Sequence, residues 1–152
     1  MKISQLLNKD SIIANLKAHD KKGVIDELAT VISKTTKASA KEIATVLMER
    51  EQLGSTGIGG GIAIPHGKLD LVTSIIVGFG LSREGVEYDS LDEKPVHIFF
   101  LLLTPENSTG GHLKVLAQIS KLLKMEPFKK GLTAAQSVDD IYDIIMEQDE
   151  DF

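Results

Sequence analysis

The residues best suited to chemistry lie in one run, Arg50 to Lys68, which reads REQLGSTGIGGGIAIPHGK. Near its end His66 follows a short apolar segment and a proline, which fixes the approach of the chain, and Gly67 on the other side carries no side chain. This arrangement presents an imidazole at a strand end. A neutral imidazole, with an ordinary pKa of about 6.5, is a competent nucleophile near neutral pH. A glycine-lined approach lets a phosphoryl group or another protein come close. The chain has no cysteine, so thiol nucleophiles, thiolate metal sites and disulfides are absent as options.

Two glycine-rich phosphate motifs fail against this run. A P-loop needs G-x-x-x-x-G-K-[ST], but Gly67-Lys68 is followed by Leu69 and by no helical pattern. A dinucleotide fingerprint needs G-x-G-x-x-G between a strand and a helix, whereas Gly57-x-Gly59 has Ile62 in the third slot and comes after a helical segment. Clustered N–H groups form anion-binding concavities, so the amides of Gly57 to Gly61 and the hydroxyls of Ser55 and Thr56 are candidates for phosphate contact, although the glycines also suit a plain turn. A metal-dependent hydrolase would use His66 and His112 with Glu51 or Asp70, but neither an H-x-x-x-H spacing nor an H-E-x-x-H helix occurs. No metal or cofactor is expected. His97 opens an apolar strand and reads as structural, and His19 reads as a solvated residue before a helix.

The elements that must position these residues follow from periodicity. Val24, Ile25, Leu28, Val31 and Ile32 recur at helical spacing, with Asp20 as the cap. Ser39-Ala-Lys-Glu42 is a capping box that opens a second helix, whose stripe is Ile43, Val46 and Leu47 and which must end by about Leu53. Five glycines in the eight positions from Gly54 to Gly61 are incompatible with further helix. Three short aliphatic segments then read as strands: 62–64, 74–81 and 96–103. Their continuous apolar character predicts cover on both faces. After a loop over 104–111, Leu113, Leu116, Ala117, Ser120 and Leu123 fit a helix, and Ser137 caps a last one.

The chain, 152 residues long, is of single-domain size, and its order of helices, strands and helices predicts an α/β fold. The expected architecture is one domain over 1–152, a mixed central β-sheet covered by helices on both faces, with 148–152 as a loose acidic tail. The 42% apolar share excludes disorder as the main state. A formal charge of −5 lacks the basic excess that phosphate-backbone binding needs, so nucleic acid is not an expected partner. No apolar stretch reaches the roughly 20 residues of a membrane span, and no signal-peptide pattern opens the chain, so a cytoplasmic protein without membrane insertion is expected.

The run R-E-x-LGSTGIG-x-G-IAIPHGK resembles the active-site segment of the enzyme IIA components of the bacterial phosphoenolpyruvate-dependent phosphotransferase system, fructose/mannitol class, which includes the nitrogen-regulatory IIA proteins. The resemblance extends over nearly the whole chain, through Pro105-Glu106-Asn107, His112-Leu113 and the final SVDDIYDIIM. It implies that His66 is the phosphorylated histidine, accepting phosphate at Nε2 from an HPr-like phosphocarrier. It implies that His112 is a second active-site histidine and Arg50 the active-site arginine, suited to phosphoryl oxygens because its guanidinium stays cationic. The length, the LGSTGIG spelling and PHGKL are more similar to the nitrogen-regulatory branch, whose phosphorylation state switches contacts with regulatory targets. The alternatives are a sugar-transport IIA that passes phosphate to the cysteine of a separate IIB protein, and an interaction domain that has lost the chemistry.

Overall fold

The computed structural model describes residues 1–152 as five helices around a six-stranded mixed sheet. The strands are β1 (Leu7–Ile13), β2 (Gly57–Gly59), β3 (Ile62–Ala63), β4 (His66–Lys68), β5 (Ile76–Val86) and β6 (Val96–Thr104). The helices are α1 (Lys21–Ile32), α2 (Ala40–Gln52), α3 (Thr109–Leu123), α4 (Glu126–Ala134) and α5 (Val138–Glu147). The sheet order is β1-β5-β6-β3-β2, and β4 continues the β3 side of β6. The β5–β6 pair is antiparallel, while β1 on β5 and both β3 and β4 on β6 are parallel.

Residue types explain the layers. In β6, Ile98, Phe100 and Leu102 point into one core with α3, α4 and α5, whereas Phe99, Leu101 and Leu103 point into a second core with α1 and α2. Strands covered on both faces read as unbroken apolar runs, as VHIFFLLLT does. Each fully buried aromatic or aliphatic side chain contributes roughly 1.5–3 kcal/mol through the water it sheds. Gly78 and Gly80 in β5 face α1, where an added Cβ would lie 2.7 Å from Ile32 Cδ1 and 3.1 Å from Leu28 Cδ2, so these glycines set how closely the helix packs.

The predicted caps form. The Asp20 carboxylate accepts from the Gly23 N–H, Ser39 and Glu42 close the capping box, and Ser137 accepts from the Asp140 N–H. Four differences from the sequence reading stand out. First, β1 lies where no strand was expected, because Asn8, Lys9 and Asp10 are three consecutive exposed polar residues on an edge strand whose register shifts between Leu7 and Ile12. Second, α3 forms with its buried face turned to His112, Val115, Ile119 and Leu122, leaving Leu113 60% exposed. Third, β5 runs on to Val86. Fourth, the acidic tail is fastened: the Asp149 carboxylate accepts from the N–H groups of Ile3 and Ser4, and the Phe152 N–H bonds the Met1 carbonyl at 2.7 Å. No helix is long and apolar enough to cross a membrane.

Candidate active site

His66 opens β4, where it stands opposite Leu102 of the buried central strand. Its neighbour Gly67 makes room for α2, since an added Cβ would lie 2.4 Å from Val46 Cγ1. The glycine therefore brings the helix, rather than an incoming partner, close to the strand. That packing carries the last turn of α2, and with it Arg50, to the histidine.

Around His66 the hydrogen bonds fix the ring. Nδ1 lies 2.8 Å from the Ile64 carbonyl, an acceptor with no hydrogen of its own, so Nδ1 carries the proton and Nε2 the lone pair. Arg50 Nε donates to that Nε2 at 3.2 Å, and Arg50 Nη1 donates to the Gly54 carbonyl at 2.8 Å. His112, in the first turn of α3, stacks edge-on against His66 with ring centroids 5.3 Å apart. The other side of the His112 ring is held at Nδ1, 2.8 Å from the hydroxyl of fully buried Thr104. Lys68 reaches from β4 to Thr109 at the start of α3, 2.8 Å from its hydroxyl.

Electrostatics keep both imidazoles neutral at physiological pH. Burial pushes the His66 pKa below its ordinary 6.5, opposed by the bond to Ile64 and reinforced by the Arg50 charge. Burial, then His66 and Lys68, bring His112 down to about 4. The arrangement is an unprotonated Nε2 beside a permanent guanidinium and a second neutral ring, which can attack an electrophile carrying negative oxygens and then hold those oxygens.

Arg50, His66 and His112 thus converge from α2, β4 and α3. Of the glycine run, Gly54 touches this group through its carbonyl on Arg50, while Gly59 to Gly61 stay apart from it. The turn at Gly59, Gly60 and Gly61, all at positive φ, joins β2 to β3 near Ile98, whereas His66 pairs four residues further along β6, about 13 Å away at strand rise. At that turn the Gly60 N–H is bonded to Asp92; nearer the histidine, the Ser55 hydroxyl donates to the Tyr88 carbonyl and the Thr56 hydroxyl is engaged with Glu51 and Tyr88. These glycines serve the hairpin. For a metal, no three His, Asp or Glu side chains converge; Glu51 is committed to Lys21 and Thr56, and Asp70 faces Glu106, whose carboxyl it pushes up.

With this geometry in place, comparison with known proteins identifies the lineage. Residues 5–148 match the family model for "Phosphoenolpyruvate-dependent sugar phosphotransferase system, EIIA 2". The chain belongs to this EIIA family. It is a IIA-type phosphotransfer component of that system. Among its relatives, the nitrogen regulatory protein of Bradyrhizobium diazoefficiens is 37% identical over 145 residues, covering 95% of both chains. The fructose-specific EIIABC component of Bacillus subtilis is 41% identical over 150 residues, 98% of this chain, and this chain spans 24% of that protein's length. Among solved structures, the nitrogen regulatory protein IIA-Ntr of Neisseria meningitidis superposes with a TM-score of 0.89 at 33% identity, covering 94% of this chain and 98% of that one. The expected mixed sheet with helices on both faces is the EIIA fold.

One group of functional interest escaped the sequence reading. Glu51, weighed only as a metal ligand, is a buried carboxylate tied to Lys21, thirty residues earlier, and to Thr56. The signal present in the sequence is an acidic residue directly after Arg50 and before the glycine run, which says nothing of Lys21.

Proposed function

We propose that this EIIA protein accepts a phosphoryl group on Nε2 of His66 from an HPr-like histidine phosphocarrier and acts as a nitrogen-type regulatory IIA component. The observation that carries the reading is the Nδ1 bond to Ile64, which leaves Nε2 as the nucleophile under the Arg50 guanidinium.

In the reaction the Nε2 lone pair forms the new N–P bond as the donor's N–P bond breaks. The donor ring, protonated at its other nitrogen, leaves as neutral imidazole, and His66 keeps its Nδ1 proton on the Ile64 carbonyl. Arg50 turns its donor from the vanishing lone pair to the phosphoryl oxygens. His112 donates from Nε2–H when Thr104 donates to its Nδ1. Catalysis by position and fixed charge of this kind needs no nucleotide and no metal. Exposed Leu53 and Leu113, neighbours in sequence of the Arg50 loop and of His112, supply apolar surface for a protein donor. A group of about −1.5 to −2 charge on a neutral ring then changes complementarity with a regulatory partner.

The test is incubation with phosphoenolpyruvate, enzyme I and an HPr-type carrier, read by intact mass. One added phosphate, lost in acid and absent from His66→Ala, is expected; labelling of His66→Ala would sink the assignment. The 41% identity to a fructose-specific component favours a second reading, transfer onward to a separate IIB cysteine. Rapid discharge of the phosphoprotein by an added fructose-type IIB would select it over the regulatory role.

A further inference from the structure

The buried polar cluster behind Arg50 has no part in the chemistry described so far, yet two chains of hydrogen bonds lead from it toward His66. Glu51 is 6% exposed. Its Oε1 accepts from Lys21 Nζ at 3.0 Å and from the Thr56 N–H at 3.1 Å, and its Oε2 accepts from the Thr56 hydroxyl. That hydroxyl in turn lies 3.2 Å from the OH of Tyr88, which is 1% exposed and has Lys21 Nζ 4.8 Å above its ring. Because the Thr56 hydrogen is used on Glu51, the Tyr88 OH donates to Thr56. Burial, then the Glu51 charge, push the Tyr88 phenol up, so it stays a donor.

From Thr56 the connection runs through the main chain. The Thr56 carbonyl accepts from the Ile64 N–H at 3.1 Å, and the Ile64 carbonyl receives the His66 Nδ1–H at 2.8 Å. On the helix side, Glu51 follows Arg50 directly, and its carbonyl accepts from the Gly54 N–H at 3.1 Å, while the Gly54 carbonyl takes Arg50 Nη1 at 2.8 Å. One carboxylate thus braces both supports of the reacting nitrogen: the carbonyl that selects the His66 tautomer and the loop that aims Arg50.

We infer that Glu51, neutralised by Lys21 and anchored on Thr56 and Tyr88, is a positioning residue for phosphoryl transfer, holding His66 in its Nδ1–H tautomer and Arg50 on Nε2. The inference rests on His66 being the acceptor. A buried, hydrogen-bonded ion pair is a poor source of net stability compared with apolar packing, so its value here lies in geometry. Misplacement of reacting groups by about 1 Å costs up to about 100-fold in rate.

The experiment compares wild type, Glu51→Gln and Thr56→Val, the last removing one hydroxyl, by ring-nitrogen NMR of His66 and by single-turnover labelling at several carrier concentrations. Expected for Glu51→Gln are a mixed His66 tautomer and a maximal rate lower by about 10- to 100-fold, at an unchanged half-saturating carrier concentration; Thr56→Val gives a smaller change in the same direction. The double variant Lys21→Met/Glu51→Gln removes the stranded cation and should recover thermal stability while the tautomer and rate defects persist. If recovered stability brings back wild-type rate and tautomer, or if neither single variant alters them, the inference is overturned. A wild-type protein that never labels would instead defeat the assignment of His66 as acceptor, while the tautomer comparison, made on unphosphorylated protein, still tests the brace. Should Glu51→Gln fail to fold, Thr56→Val and Tyr88→Phe carry the same comparison.

Discussion

Two histidines sit at opposite ends of the β6 ladder in closely similar local settings. His66 places Nδ1 2.8 Å from the Ile64 carbonyl, and His97 places Nδ1 2.8 Å from the Ser82 carbonyl. Both rings are therefore fixed in the tautomer with a free Nε2. What differs is what meets that nitrogen. At His66 it is a guanidinium, with a second imidazole alongside; at His97 it is the Gly85 turn, where an added Cβ would lie 3.3 Å from Nε2. A main-chain bond that selects a tautomer makes a nucleophile only when charge and space for an incoming phosphoryl group are supplied on the other side.

The sharpest way to break this contrast is to delete each ring. His66→Ala should abolish labelling by the carrier, whereas His97→Ala should label at close to the wild-type rate, as read by intact mass. Next in size is the cation. Arg50→Ala should lower the single-turnover rate by about 10²–10³, the range seen when one preorganised charge-stabilising donor is removed. Loss of less than a few-fold would show that the guanidinium is not aimed at the transferring group.

The two glycine settings sharpen the contrast further. Gly67→Ala forces a Cβ against Val46 and should destabilise the fold by about 1–3 kcal/mol in denaturant titration while slowing labelling, because α2 and Arg50 are pushed off β4. Gly60→Ala, at φ +66 in the distant hairpin, should cost roughly 1 kcal/mol of backbone strain and leave the labelling rate unchanged.

The smallest effects are those of pH. Since burial lowers the His66 pKa below 6.5, the labelling rate should stay level from about pH 8 to about pH 6.5 and fall below that, as a proton takes the lone pair. For stability the sign follows from His112, near 4 when folded against 6.5 when unfolded. The unfolded chain binds the proton first, so the contribution of neutral His112 is full above about 6.5 and is lost as pH falls toward 4. His112→Gln should flatten that part of the stability profile and slow labelling about tenfold; an unchanged profile would place the ring in a wetter setting than its burial indicates.

The sequence carried the helices well because their signals are local. Asp20, Ser39 with Glu42, and Ser137 cap through side chains three residues from the amides they satisfy, so no tertiary partner is needed. It failed at β1, where the pattern Leu7, three polar residues, Ser11, Ile12 has neither period, and where pairing with β5 supplies the order instead. The helical spacing in α3 left the burial of single residues open: Leu123 is buried and Leu116 packs on the core, but Leu113 is 60% exposed. The helix turns His112 inward because the Thr104 hydroxyl at the end of β6 satisfies the ring, and a buried polar group with a partner is tolerated.

For the candidate site, the types of Arg50, His66 and His112 and the Pro65 and Gly67 flanking His66 were all written in the chain. Their convergence came only from the packing of three separate elements. The glycine run shows the limit plainly: residue type allowed either a turn or an anion cradle, and for Gly59 to Gly61 the register of β3 and β4 on β6, which sets about 13 Å between hairpin and histidine, decides for the turn. Caps and the types of the candidate side chains are properties of short segments, which the sequence by itself determines. The tautomer of His66, the aim of Arg50 and the ion pair between Glu51 and Lys21 depend on groups brought together across the fold, and a hydrogen bond depends on distances that no linear spacing contains.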